Sequence, residues 1–385
     1  MKTDWKAYWE KKRKAEGVEK PNSVYRPHTK WYNYKGVGVY MITIVTYNRK
    51  PILGELNNDT SNPRVELSAL GKYVEQQWLQ IPAVQALHKR RVSLLGHQVM
   101  PDHFHGILRV DAELDVSMGE IIRGFKISCT KEWRKRFQTY MSEIELEEKK
   151  NHLSHISQKK RQAYYATHPE MAPLFTDGYD DTICFHDGQL NNVINYVRDN
   201  PRRAILKRAN PQLFVLNQNI EVAGFRCTTL GKQFLLDYPQ KAALQCSRSL
   251  TQELIDKQKE QCLADAERGT VWVSACISEG EKQISKALRE AGFPIIILLK
   301  DGFPKPDSPH YKYFKPQGAY FEACADGRLL LVEPTLQLFD DRTIDASVSQ
   351  KAGMLPHDTL RYKFLALNVF AQLISNQTLC VSNRA

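Results

Sequence analysis

The stretch Val99-Met100-Pro101-Asp102-His103-Phe104-His105-Gly106-Ile107-Leu108 sets two histidines around one large apolar residue and follows them with an apolar run. Side chains on a β-strand alternate faces with a period of two. A strand here therefore points His103 and His105 one way and Phe104 into the opposite layer. Met100-Pro101-Asp102 reads as a tight turn, because proline fixes φ and aspartate favours turns. Residues 91–99 (RVSLLGHQV) then form the other arm of a hairpin. Two imidazoles side by side at the start of a strand are half of a metal site.

Upstream, residues 39–47 (VYMITIVTY) are β-branched and aromatic and read as a strand. Residues 57–64 are turn-rich, and Leu67, Leu70, Val74 and Trp78 recur at helical spacing. Downstream, residues 117–137 form a basic helix with Ile121, Ile122, Phe125 and Trp133 on its apolar side. Residues 140–170 are charged and helical in pattern, as in an inserted arm. Residues 182–186 (TICFH) supply a fourth strand, and a helix follows over about 188–198, before Asn200-Pro201. The order strand–helix–strand–strand–helix–strand over residues 38–187 is the split βαβ, ferredoxin-like pattern with an antiparallel sheet, an α+β fold.

Charge is unevenly placed. Of 54 basic and 43 acidic residues, the first 210 positions hold 34 and 24, so they carry almost all of the net charge of +11. Such asymmetry suits a polyanion partner such as nucleic acid, or a solvated basic surface. The first 36 residues mix cations (Lys11-Lys12-Arg13-Lys14) with Trp5, Tyr8, Trp9, Tyr25, Trp31, Tyr32 and Tyr34. They fit either stacking on unpaired bases or docking on the domain behind them. No apolar run reaches the ~18 residues of a membrane span, and the charged N-terminus lacks a signal peptide's apolar stretch. A cytoplasmic protein with no membrane partner is expected. Eight cysteines without a CxxC pair argue against a zinc ribbon and a disulfide framework.

The helix over 188–198 contains Tyr196, and Asn200 lies four residues on, at or just beyond its end, since a residue before proline avoids the α region. If this face packs against the histidine strand, two imidazoles and an amide oxygen can hold one divalent cation. The Tyr196 phenol can then attack a phosphodiester in line. A phenol ionises near pH 10 and needs the metal field or a base. His97 and His186 are more economically structural, and Asp177, Asp180 and Asp181 form an acidic run before the fourth strand.

MPDHFHGIL, Gly124-Phe125-Lys126, and NYVRDNPRRA from Asn195 to Ala204 together resemble the HUH single-strand DNA transposases, and among these the REP-associated tyrosine transposases. Their pattern is MPNH-x-H followed by Y-x-x-x-N-P-x-R-A; Asp102 stands here in place of asparagine. TYNRKPILGEL (46–56) and VELSALGKYVEQQW (65–78) also fit, and the resemblance covers about residues 38–208. It implies metal-dependent nicking of single-stranded DNA beside a hairpin, a 5′-phosphotyrosine intermediate, and Mg2+ or Mn2+ as cofactor. It makes His103 and His105 metal ligands, Asn200 the third ligand and Tyr196 the nucleophile. Arg123, Lys126, Arg198 and Arg203 become candidate DNA contacts. A hairpin-binding relative that does not cut, and a replication-initiator or relaxase-like nickase, are the alternatives. The oligomeric state stays open, a homodimer included.

From about residue 221 charge is balanced. Residues 271–275, 294–299 and 329–332 are continuous apolar strands with helices between them, as in a parallel sheet covered on both faces. The segment VSACISEGEKQISKALREAGFPIIILLKDGF weakly resembles the Rossmann-like core of DNA-processing protein A, with Ser274, Gly280 and Gly302 partly fitting. No GxGxxG occurs, so a dinucleotide ligand is not expected. The expected organisation is an extension at 1–37, a catalytic domain at 38–210, and a smaller Rossmann-like domain at 221–375 with a fraying polar tail after Ser375.

Overall fold

The computed structural model describes residues 32–137, 163–165, 167, 172–185, 188–299, 303, 316, 318–334 and 360–381. The basic N-terminal segment, nearly all of the 140–170 insertion, His186 and Gly302 therefore lie outside the described residues. The chain divides into two compact units, Met1–Ile205 and Leu206–Ala385.

In the first unit, β1 (Gly38–Val45) leads through a short ladder of β2 (Gly54–Leu56) and β3 (Val65–Leu67) into α1 (Ala69–Leu79) and α2 (Ile81–Leu87). The hairpin β4 (Val92–Val99) and β5 (His103–Val110) follows, then α3 (Met118–Phe137), β6 (Asp180–Ile183) and α4 (Gln189–Arg198), and α5 (Asn200–Ala209) runs across the division between the units. The main sheet runs β4-β5-β1-β6 with every neighbouring pair antiparallel. A split βαβ connection gives this order, because each crossover leaves room for one inserted strand.

Three local features differ from the sequence reading. Leu67 ends β3 rather than starting the helix, because Ser68 caps α1, its Oγ accepting from the Gly71 amide at 3.0 Å. The fourth strand begins two residues early, so Asp180 and Asp181 lie within it instead of in a loop. Asn200 opens α5 instead of trailing α4.

Register assigns the faces. Tyr40, Ile42 and Ile44 of β1 share a face with Leu108, Gly106 and Phe104 of β5. They pack with Leu70, Val74 and Trp78 of α1 and with Ile121, Ile122 and Phe125 of α3. Phe104 meets Trp78 at 4.9 Å between ring centroids and Phe125 at 5.7 Å. Gly106 is required here: a Cβ would lie 2.2 Å from the Trp78 indole.

The second unit holds a seven-stranded sheet ordered β13-β9-β10-β11-β12-β8-β7. Its members are β7 (Asn217–Val222), β8 (Phe225–Gly231), β9 (Lys241–Cys246), β10 (Val271–Ser274), β11 (Ile295–Leu298), β12 (Leu329–Pro334) and β13 (Gln377–Val381). Strands β13 to β12 are parallel, while β8 and β7 add an antiparallel edge. α9 (Leu360–Ile374) covers one face with Tyr362, Ala366 and Phe370 against Val273, Ile296 and Leu330. α6 (Gln252–Glu267) and α7 (Glu279–Glu290) cover the other through Cys262, Ala266, Ile284 and Leu288 against Trp272, Ile297 and Leu331. α8 (Ala319–Ala325) joins that layer through Ala323 and Cys324. Both faces being buried explains the unbroken apolar runs.

Two expectations for this unit are corrected. Among the described residues the tail after Ser375 is a strand: Gln377–Val381 pairs in parallel with β9, and the Asn376 amide donates to the Lys241 carbonyl at 2.9 Å. The sheet also begins before residue 221, with β7 starting at Asn217. Polar, alternating strands at a sheet edge lack the continuous apolar signature by which the central strands were read. Among the described residues, no helix is long and apolar enough to cross a membrane.

Candidate active site

His103 and His105 project from β5 on the face away from α1 and α3, opposite Val45 and Thr43 of β1. Their rings meet edge to face at 4.8 Å between centroids. α4 lies over β4 and β5 and brings Tyr196 to His105, with 5.6 Å between ring centroids and 68° between planes. The two sequence motifs, some ninety residues apart in the chain, thus meet at one place on the sheet.

Both imidazoles are held by Nδ1. His105 Nδ1 lies 2.9 Å from the Thr43 hydroxyl, and His103 Nδ1 lies 2.6 Å from Asp102 Oδ1. Among the described residues neither Nε2 has a hydrogen-bond partner, so each can offer a lone pair to a cation in the tautomer that carries its proton on Nδ1. Burial, and then the charge of neighbouring His103, push the His105 ring down to about 3, with Asp102 opposing. His105 is therefore neutral at physiological pH, the form that ligates metals. Burial pushes the Asp102 carboxyl up, but His103 and then Arg49 pull it down further, to about 2.

Asn200 donates from Nδ2 to the Tyr196 carbonyl at 3.1 Å, which closes the last turn of α4. The α4–α5 junction is held near the histidine turn by Ile205, which packs with Met100 and Leu56. An amide oxygen and two imidazole nitrogens suit a divalent cation of intermediate hardness. Asp180 falls on the same face, opposite Thr43. His97 does not: it turns to the α1 side, with Nε2 2.9 Å from Glu75 and its ring stacked on Phe104. Asp181 also faces away and accepts from the Tyr34 hydroxyl at 3.0 Å.

The four candidate DNA contacts separate. Arg203 is buried, at 8% exposure, with its guanidinium 5.6 Å from the Tyr196 ring centroid; it supports the tyrosine from within instead of presenting charge to solvent. Arg198 is exposed beside Gln98 and Val99 at the open edge of β4. Arg123 and Lys126 are on α3, across the sheet from the histidines. Arg123 is exposed and pairs weakly with Glu120 at 3.4 Å. Lys126 donates from Nζ to the Thr176 and Gly178 carbonyls, both at 2.6 Å, and burial lowers its pKa with Asp177 opposing. Its job here is to fasten the segment before β6 to α3.

Sequence reasoning missed Thr43 and Arg49. Thr43 is identified only by the β1–β5 register. Arg49 lies in TYNRKP, where nothing indicates that its guanidinium reaches Asp102 Oδ2 at 3.2 Å.

In the second unit, a cavity of about 370 Å³ opens at the carboxyl ends of β9 and β10, lined by residues including Cys246, Ser278, Glu281 and Asn368. Ligands of open α/β sheets bind in such crevices. Here the Glu281 carboxylate, 1% exposed, accepts from the Cys246 amide at 3.2 Å and the Ile277 amide at 2.8 Å. Burial raises its pKa against these hydrogen bonds. The strand-end amides that would face an anion are thus taken by the protein's own side chain.

No protein-family model matches the chain. An uncharacterized protein of Haemophilus influenzae is 28% identical over 131 residues, covering 29% of this chain and 68% of that protein. A REP-associated tyrosine transposase bound to a REP hairpin aligns with a TM-score of 0.27 and 12% identity, over 46% of this chain and 74% of that one. DNA processing protein A from Helicobacter pylori, described for its single-stranded DNA binding mode, aligns with a TM-score of 0.29 and 19% identity, over 45% and 72%. At these scores the site stands on its own geometry.

Proposed function

We propose that the first unit is a metal-dependent enzyme that nicks and rejoins single-stranded DNA beside a hairpin, with Tyr196 as nucleophile. The observation that carries this reading is the meeting of Tyr196 with His105 on a face where both imidazoles keep Nε2 open. His103 and His105, with Asn200 as third ligand, would hold Mg2+ or Mn2+, which supplies polarisation of a phosphodiester oxygen. Tyr196 Oη attacks phosphorus in line, the bond to the 3′ oxygen breaks, and a 5′-phosphotyrosine and a free 3′-OH result. The phosphotyrosine ester keeps the bond energy, so a 3′-OH can later displace the enzyme and rejoin the strand. Arg203 lies against the ring and favours negative charge developing on it. Arg198 at the site's edge would take the backbone of the bound strand, and Arg123 that of a duplex stem on the α3 side. In this reading residues 38–210 carry the chemistry in the cytoplasm, and the Rossmann-like unit is accessory.

The test uses the full chain and an end-labelled single-stranded hairpin with Mn2+. A label that migrates with the protein under denaturing conditions, and no longer does so in excess chelator, is expected. Retention of the hairpin only under native conditions would leave a binding protein without cleavage.

A further inference from the structure

The turn that delivers His103 is fastened far more heavily than a hairpin turn needs. Thr46, fully buried, donates its amide to the Asp102 carbonyl at 2.9 Å, and its hydroxyl lies between the Lys50 carbonyl at 2.8 Å and the Asp102 carbonyl at 2.9 Å. The Leu53 amide donates to the Pro101 carbonyl at 3.0 Å, and the Met100 amide to the His103 carbonyl at 2.8 Å. Between Thr46 and Leu53 the chain passes through Asn48 and Arg49 at φ 55° and 51°. Two consecutive non-glycine residues in the left-handed region are strained and persist only where surrounding contacts hold them. That strain brings Arg49 Nη1 within 3.2 Å of Asp102 Oδ2, while Asp102 Oδ1 lies 2.6 Å from His103 Nδ1.

We propose that Asp102 is a positioning residue. It fixes the neutral His103 ring with its proton on Nδ1, so that Nε2 presents a lone pair to the site, and Arg49 holds Asp102 in that orientation. A carboxylate only accepts hydrogen bonds, so a neutral ring at this distance must carry its proton on Nδ1. A neutral histidine in water favours the opposite tautomer. Asp102 therefore reverses an intrinsic preference, and the carboxylate–histidine pair orients the ligating nitrogen. His105 differs, because the Thr43 hydroxyl can either donate or accept. The inference rests on His103 as a metal-holding residue, but the tautomer is measurable without metal or DNA.

The test is a long-range 1H–15N spectrum of the metal-free full chain, at a pH where His103 is neutral, paired with Mn2+ calorimetry. Wild type is expected to hold the Nδ1–H form. Asp102→Ala should shift His103 toward the Nε2–H form and weaken Mn2+ binding about 10–100-fold. Asp102→Asn, whose amide oxygen still accepts, should keep the tautomer and restore most of the affinity, and it stands in if the alanine variant fails to fold. Arg49→Gln should weaken Mn2+ binding by less than Asp102→Ala. An Nε2–H ring in wild type, or an unchanged tautomer in folded Asp102→Ala, would overturn the proposal. If wild type binds no Mn2+ while the tautomer responds as expected, the metal-dependent reading fails and the positioning of His103 by Asp102 stands.

Discussion

Strands β5 and β11 are both rich in apolar side chains, yet only one of them carries candidate chemistry. β5 turns Phe104, Leu108 and Val110 into the core beneath α1 and α3 and His103 and His105 to the other face. β11 buries Ile296 and Leu298 in one core and Ile295 and Ile297 in another. A strand with an apolar core on both faces has no position for an open donor atom, because a buried polar group without a partner is costly. Among the described residues of the second unit a crevice opens at the strand ends, where Glu281 already accepts from the Cys246 and Ile277 amides. In the first unit the antiparallel sheet has its apolar core on one face, and α4 covers the other with Tyr196 set against His105.

The strongest break of this contrast is removal of the histidines. His103→Ala with His105→Ala should lower Mn2+-dependent cleavage about 10³-fold, since a bound cation supplies several kcal/mol in the transition state. Gel quantification of adduct decides it, and a loss under tenfold would place the chemistry elsewhere. Gly106→Ala probes the other face of the same strand. Its Cβ would meet Trp78 at 2.2 Å, and denaturant unfolding of the first unit should show a loss of about 1–3 kcal/mol. The second unit's transition should not move.

A third test uses pH. His105 is pushed down to about 3 in the fold against about 6.5 when unfolded. The unfolded chain thus binds the extra proton between these values, and stability contributed by the neutral ring is present above about 6.5 and falls with pH toward 3. The slope should approach ~1.4 kcal/mol per pH unit at most, and His105→Gln should remove it from metal-free unfolding curves. The smallest effect is expected in the second unit. Glu281→Gln should cost about 1–2 kcal/mol of that unit's stability, because an amide oxygen replaces only part of a carboxylate's two acceptors. It should leave cleavage unchanged; a comparable loss of cleavage would give the crevice a part in catalysis.

Much of this contrast was legible in the sequence. Period-two alternation at His103-Phe104-His105 gave the two faces of β5, and the apolar runs at 271–275 and 294–299 gave a sheet buried on both sides. What stayed hidden depends on contacts between distant segments. Thr43 reaches His105 only through strand register, and Arg49 reaches Asp102 only through a left-handed kink. The burial of Arg203 against Tyr196 and the fastening of Lys126 by two carbonyls reverse the usual expectation that cations face solvent. β13 was missed because a short polar segment becomes a strand only when β9 offers it an edge.

Tyr196→Phe tests the central claim most directly, since it removes one oxygen and keeps the ring beside His105 and Arg203. With Mn2+ and a labelled single-stranded hairpin, the variant should bind the DNA as wild type does and give no denaturation-resistant protein–DNA band. A covalent band of wild-type intensity from the phenylalanine variant would contradict the assignment of Tyr196 as nucleophile.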